Sequence, residues 1–134
     1  LYNSNTWILT QQMEKSIDGT YTRMLRMVLN VSWKQHLTKE ELYAGLPKVS
    51  RKIAMQCLRL SGHCVRHPEE IASKLVLWQS TGGTVNRGRK PTDYIDVIKR
   101  DTGLDDPSEI KNVMLDRTLW QDFVTQARLG NRLK

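Results

Sequence analysis

Apolar residues recur along this chain with the three- and four-residue spacing of amphipathic helices, and no segment alternates as a strand would. The first such pattern covers roughly 10–29 and ends at Asn30. Gly19 weakens it by about 1 kcal/mol relative to alanine. We predict a long first helix with one apolar stripe, made of Met13, Ile17, Tyr21, Met24, Leu25 and Val28.

Start and stop signals predict the other helices. Thr38 and Glu41 have the spacing of a capping box, which predicts a short helix over about 39–45. A longer one follows over about 48–66, and Pro68 starts another that ends near Trp78. Three more are predicted, from Thr92 to Gly103, from Asp106 to about Leu115, and over about 118–129 before Gly130.

These patterns predict an all-α fold, a small irregular domain of about six helices with a basic Gly/Arg loop. The four tryptophans are the largest apolar side chains in a chain that is only 39% hydrophobic. We expect them to form the bulkiest part of a thin core: Trp7, Trp33, Trp78 and Trp120.

The helix over 48–66 is predicted to have two chemically different sides. Its apolar side carries Val49, Ile53, Cys57, Leu60 and Cys64, and the opposite side carries the basic residues. Gly62 lies among the basic residues, where a missing side chain would let a phosphate approach.

The net charge of +7 is concentrated in one block. Residues 48–91 hold nine basic and two acidic residues, whereas the flanking segments carry net charges of +1 and −1. Basic side chains on one helix face neutralise phosphates and release counterions. We predict a nucleic-acid-binding surface in this block, with a solvated helix face as the alternative; its residues are Lys48, Arg51, Lys52 and Arg59, then Arg66, Arg87, Arg89 and Lys90.

The cysteines do not form a recognisable metal motif. Cys57 and Cys64 are seven residues apart, which on a helix is too far for a disulfide. His63 and His67 lie nearby, but structural zinc requires paired ligands at closer spacing. We expect no metal or cofactor in this chain, and the reduced thiols favour an intracellular location.

A cluster of carboxylates raises one alternative, a metal-dependent nuclease. Asp93, Asp96 and Glu109 also suit the first turns of helices, where carboxylates are stabilised without a metal. No apolar run reaches the roughly 20 residues that a membrane-spanning helix needs, so no membrane contact is predicted.

An ordered series of short words resembles one protein family. Near the start these short segments are Tyr2-Asn3-Ser4-Asn5-Thr6-Trp7, 20–26, Trp33 and 40–43. In the middle they are Leu46-Pro47, 58–63, Leu77-Trp78 and 87–89. Towards the end they are 94–96, 101–104 and Asp116-Arg117 with Trp120. Together they resemble the C-terminal region of the reverse transcriptase of non-LTR (LINE-type) retrotransposons. The chain departs from that pattern at Asn3 and Asn5, and at Gln56 and Cys57, where more arginines are expected.

The resemblance implies that residues 1–46 are a thumb-like helical segment and that 47–134 are a basic helical C-terminal extension. The parent would be an RNA-directed DNA polymerase whose catalytic aspartates lie upstream, so no catalytic activity is expected of this chain. The chain begins at Leu1, which fits a fragment. The partners implied are RNA or DNA and the upstream polymerase domain, in the nucleus or cytoplasm. The alternative is a structural module that packs on the polymerase.

Overall fold

The computed structural model describes residues 2–32, 34–79, 88 and 92–127. Within these residues the chain is all-helical, as predicted. A 3₁₀ turn at Ser4–Thr6 precedes seven α-helices: α1 Gln11–Val28, α2 Lys39–Tyr43, α3 Val49–Arg66, α4 Ile71–Val76, α5 Tyr94–Thr102, α6 Pro107–Leu115 and α7 Arg117–Gln126.

Local capping explains most helix ends where the sequence predicted them. The Thr38 hydroxyl accepts from the Glu41 backbone N–H, and the Glu41 carboxylate accepts from the Thr38 N–H, which completes the predicted capping box. Asn30 ends α1 in the left-handed region with φ 50°. Gly103 closes α5 with φ 77°, a conformation that glycine adopts at little cost.

Two predicted helix starts are wrong. Residue 68 does not begin a helix, because 68–70 form a turn in which the Glu70 N–H donates to the His67 carbonyl, and α4 begins only at Ile71 and ends at Val76. The cap of α5 is Asp93 rather than Thr92, since Asp96 at the third helical position accepts from the Asp93 N–H. The predicted loop over 81–91, apart from Gly88, and the predicted stop at Gly130 lie outside the described residues.

The chain divides into two compact units. One contains the described residues of 1–8 and 54–134, and the other contains 9–53. The division therefore falls at other positions than the predicted boundary between 46 and 47, and the N-terminal turn is grouped with the C-terminal helices. The thumb-like and extension assignments stay predictions.

The larger unit has an aliphatic core rather than the tryptophan core that we expected. It is formed by buried residues of α3 to α7: Leu58, Cys64, Val65, Val76, Ile98, Ile110, Met114, Trp120, Val124 and Ala127. Of the tryptophans, Trp120 is buried, whereas Trp7 is 38% and Trp78 is 55% exposed, and Trp33 lies outside the described residues.

Trp120 lies directly against α3 at Gly62. A methyl group on Gly62 would overlap the Trp120 indole nitrogen, so the ring would have to move. The same indole N–H donates to the Leu58 carbonyl of α3 at 2.8 Å. Glycine at position 62 is therefore required by helix packing, because α7 places an aromatic ring where a side chain would be.

The smaller unit is joined by polar contacts between α1 and the residues that follow it. The Asp18 carboxylate accepts from both the backbone N–H and the hydroxyl of Ser50, at 3.0 and 2.7 Å. A carboxylate at the first turn of α3 satisfies donors that the helix itself leaves unpaired. The Tyr43 hydroxyl lies 3.0 Å from that of Thr22 and so connects α2 to α1.

The apolar stripe of α1 is only partly covered. No residue of α1 is buried, and Met24 and Val28 are 57% and 81% exposed. The predicted periodicity of the helix is confirmed, but this stripe is not an internal core face within the described residues.

Replacing Gly62 by alanine tests the α3–α7 contact. We expect Gly62→Ala to lower the free energy of unfolding by about 1–3 kcal/mol, because the added methyl forces the Trp120 ring to move. Urea denaturation followed by circular dichroism measures this change.

The matched control is Gly19→Ala, at a glycine in α1 whose added methyl would meet no atom within 4 Å. It should stabilise the chain by up to about 1 kcal/mol through helix propensity alone. If Gly62→Ala stabilised the chain as Gly19→Ala does, the packing account of Gly62 would be contradicted.

Candidate nucleic-acid interface

The predicted basic residues of the smaller unit lie at the start of α3. Lys48 precedes the helix and Lys52 lies in its first turns, and both are exposed. Their ammonium groups have no hydrogen bond or ion pair to any described residue. Arg51 is half-buried and interacts within the fold. The two lysines therefore offer cations to solvent, whereas the guanidinium of Arg51 is partly enclosed.

The two predicted arginines of α3 in the larger unit have different surroundings. Arg59 is exposed, with no hydrogen bond or ion pair to any described residue. Arg66 is half-buried, and its Nη1 donates to the Met114 carbonyl at 2.8 Å. Met114 lies in the last turn of α6, where carbonyls lack helical partners and favour a nearby cation. Arg66 thus caps α6, and its predicted role in binding stays a prediction.

Three predicted binding residues, Arg87, Arg89 and Lys90, lie outside the described residues. The proposed phosphate approach at Gly62 is wrong, because Trp120 fills that space and Gly62 is buried. The buried side of α3 therefore includes Gly62 and is wider than the pattern of apolar residues along the helix predicted.

What remains exposed on this part of α3 forms one wall of a cleft of about 430 Å³ in the larger unit. This wall carries Gln56, Arg59, Leu60 and His63, whose spacing places them on one helix face. The opposite wall is the N-terminal turn with Asn3, Ser4 and Asn5. The cleft has the size of a small-ligand site.

Hydrogen bonds fix the N-terminal turn against α3 and α5. The Ser4 hydroxyl donates to Gln56 Oε1 at 2.6 Å, and Ser4 is buried. The Tyr94 hydroxyl lies 3.0 Å from the Asn5 carbonyl and 3.1 Å from the Cys57 carbonyl, so its single hydrogen is shared between the two segments. The Cys57 thiol donates weakly to the Ser4 carbonyl at 3.5 Å. The wall of the cleft is thus held by contacts that span most of the chain.

The cleft suits an anion. None of the described residues that line it is acidic, and Arg59 supplies a full positive charge. Because Gln56 Oε1 accepts from Ser4, its NH₂ group remains a donor on the same wall. The His63 ring contacts that of His67 in a tilted arrangement, with 4.4 Å between centroids and 51° between planes, and His67 in turn pairs with Glu69 at 3.2 Å. Asn5 Oδ1 is buried without a donor among the described residues.

Sequence reasoning found Arg59 but not this cleft. The spacing of Gln56, Leu60 and His63 beside Arg59 was visible in the sequence, since it follows the helical repeat. The opposing wall comes from residues more than 50 positions away, brought there by Tyr94 and Ser4. No local sequence pattern predicts a contact between the N-terminal turn and α3.

Two of the carboxylates considered for a nuclease form the start of α5, since Asp93 is its cap and Asp96 accepts from the Asp93 N–H. The neighbouring Asp106 accepts from the Ser108 N–H at the start of α6, and Asp101 is buried and pairs with Arg100 at 3.2 Å. In the part of the chain that the structure describes, no three His, Cys, Asp or Glu side chains are grouped as metal ligands.

Both cysteines are buried, and neither forms a disulfide with the other. Burial raises the pKa of the Cys64 thiol, and the charge of Glu70 adds to this effect. A raised pKa keeps the thiol protonated, which makes it a poor metal ligand and a poor nucleophile.

Comparison of the chain with protein-family models, with curated proteins and with solved structures found no match. None of the helices over the described residues is long and apolar enough to cross a membrane. The functional interpretation therefore depends on the residues and their geometry.

The alkaline pH dependence of stability tests the role of Tyr94. Burial raises the pKa of its phenol far above the usual value, and the nearby Cys57, Cys64 and Asp101 add to the shift. A pKa raised by folding contributes stability that is complete below the unfolded value of about 10 and is lost as the pH rises above it. The unfolding free energy of the wild type should therefore fall more steeply above pH 10 than that of Tyr94→Phe.

The measurement is urea denaturation across this alkaline range. The control is Tyr2→Phe, at a tyrosine that is 97% exposed, which should follow the wild type. At neutral pH, Tyr94→Phe should cost about 1–2 kcal/mol through the lost hydrogen bond. Parallel alkaline curves for the wild type and Tyr94→Phe would contradict the buried, hydrogen-bonded phenol.

Proposed function

We propose that this chain is a nucleic-acid-binding fragment of a non-LTR retrotransposon reverse transcriptase, and that it holds RNA or DNA beside the polymerase. The support is the ordered series of sequence words and the basic block over 48–91. Polymerisation belongs to the upstream part of the parent, and this fragment contributes binding. Cys57 and Cys64 form no disulfide with each other, which fits a reducing compartment such as the nucleus or cytoplasm.

The observation that carries the proposal is the exposure of three cations without acidic partners. Lys48, Lys52 and Arg59 are exposed, and none forms an ion pair with a described residue. A cation that is not neutralised within its own fold can neutralise a phosphate, and the release of condensed counterions then drives binding. Such contacts position a nucleic acid without reading its sequence.

Exposure without an acidic partner distinguishes these three residues from other basic residues of the block. Arg66 donates to the Met114 carbonyl and contributes to the fold of the larger unit. Arg51 interacts within the fold as well. Among the described residues, we therefore assign most of the contact with nucleic acid to Lys48, Lys52 and Arg59. Arg87, Arg89 and Lys90 are further proposed contacts.

A second candidate function is a structural module that packs on the polymerase domain. The observation that favours it is the apolar surface of α1, where Met27 and Val28 are 79% and 81% exposed. Exposed apolar patches are typical of protein interfaces. This function needs no affinity for nucleic acid, so a binding measurement separates the two.

Neutralising the three exposed cations tests the proposal. The wild type should bind labelled single-stranded RNA and duplex DNA with an affinity that falls steeply between about 50 and 200 mM salt. The triple variant Lys48→Gln, Lys52→Gln, Arg59→Gln should bind more weakly, and its logarithmic salt slope should be smaller by roughly 2. Fluorescence anisotropy measures both quantities.

The control variant removes three other exposed cations and has the same net charge: Lys15→Gln, Lys39→Gln and Arg117→Gln. It should keep the slope of the wild type within experimental error. Equal weakening by the two triple variants would show attraction by net charge alone. An affinity that does not change with salt would leave only the structural module.

A further inference from the structure

The cleft between the N-terminal turn and α3 contains polar and aromatic groups in addition to a positive charge. Its walls combine a guanidinium from Arg59, an amide NH₂ from Gln56 and the imidazole of His63. Asn3 and Asn5 of the N-terminal turn also line the cleft. The Arg59 guanidinium alone would suffice to bind a phosphate. The amides and the imidazole therefore favour a ligand that has other polar or aromatic groups besides a phosphate.

The first requirement on that ligand is an anionic group with several acceptor oxygens. A guanidinium offers five donors in a planar fork, which suits phosphate oxygens. The Gln56 amide is oriented by its 2.6 Å hydrogen bond from Ser4, so its NH₂ donors are fixed before a ligand arrives. Donors that are already oriented lose little entropy on binding.

The second requirement is a flat, unsaturated group. His63 is exposed and lines the cleft, and its ring lies against that of His67, with 4.4 Å between centroids and the two planes tilted by 51°. An exposed imidazole in a cleft wall can receive another ring on its face. Bases of single-stranded RNA stack on aromatic side chains, histidine included, and they hydrogen-bond through edges that amide side chains can match.

The third observation is size. The cleft has a volume of about 430 Å³, which is within the range of sites for small molecules. Leu60 contributes an apolar surface to the same wall. A carboxylate of an acidic peptide would satisfy Arg59 but would leave the stacking surface of His63 and the amides of the turn without a partner.

We propose that this cleft binds one unpaired nucleotide of a single-stranded nucleic acid, with its phosphate on Arg59 and Gln56 and its base on His63. The inference rests on the proposed nucleic-acid binding and adds a class of substrate: a strand with unstacked bases rather than a duplex. It also assigns contacts to Gln56 and His63 by hydrogen bonding and ring stacking, which are different from counterion release.

The experiment compares two oligomers of about 12 units with equal phosphate content, a single-stranded RNA and an abasic sugar–phosphate strand. Wild-type protein should bind the RNA about five- to tenfold more tightly, which is the lower part of the range for stacking of one base. His63→Ala should abolish most of this preference while it leaves binding of the abasic strand unchanged. Gln56→Ala should weaken binding of both strands.

Matched controls are His36→Ala and Gln121→Ala, which replace exposed residues outside the cleft and should keep both affinities. Circular dichroism of each variant excludes loss of fold. Competition by adenosine monophosphate, inorganic phosphate and a glutamate-rich peptide identifies the ligand. The nucleotide should displace RNA from the cleft at concentrations where the other two do not.

Three results overturn the inference and leave the proposed function intact: equal binding of RNA and abasic strand, unchanged preference in His63→Ala, or equal competition by the acidic peptide. Loss of all salt-dependent binding in the wild type would instead overturn the proposed function itself. The two failures are therefore distinguishable in one set of titrations.

Discussion

The contact between Gly62 and Trp120 is the constraint on which the larger unit depends. It brings α7 so close to α3 that position 62 has no room for a side chain, and it gives the buried indole N–H an acceptor in the Leu58 carbonyl. An indole left without an acceptor there would carry the full cost of burying a polar group. α7 covers this sector of α3, whereas Arg59 and His63 line the cleft and are exposed.

The same packing gives two arginines of one helix different surroundings. Arg66 lies where α3 meets the end of α6, and its guanidinium pairs with the Met114 carbonyl. Arg59 lies two turns earlier, in the wall of the cleft, without a partner among the described residues. Identical chemistry thus stabilises the fold at one position and is available to a ligand at the other.

Local signals predicted the secondary structure well, because caps and periodicity act over a few residues. The capping box at Thr38 and the glycine stop at Gly103 are of this kind. Long-range packing was not predictable in the same way: nothing near Trp78 marks it as exposed and nothing near Trp120 marks it as buried. Arg59 was found by its charge, whereas the turn that faces it depends on Tyr94, far along the chain.

The central claim is that exposure, rather than charge alone, decides which basic residues of α3 bind nucleic acid. The most direct measurement compares Arg59→Gln with Arg66→Gln for unfolding free energy and for affinity towards single-stranded RNA. Arg59→Gln should weaken binding and keep stability, whereas Arg66→Gln should lose about 1.5–3 kcal/mol of stability with little change in affinity. Equal losses of affinity in the two folded variants would contradict the account.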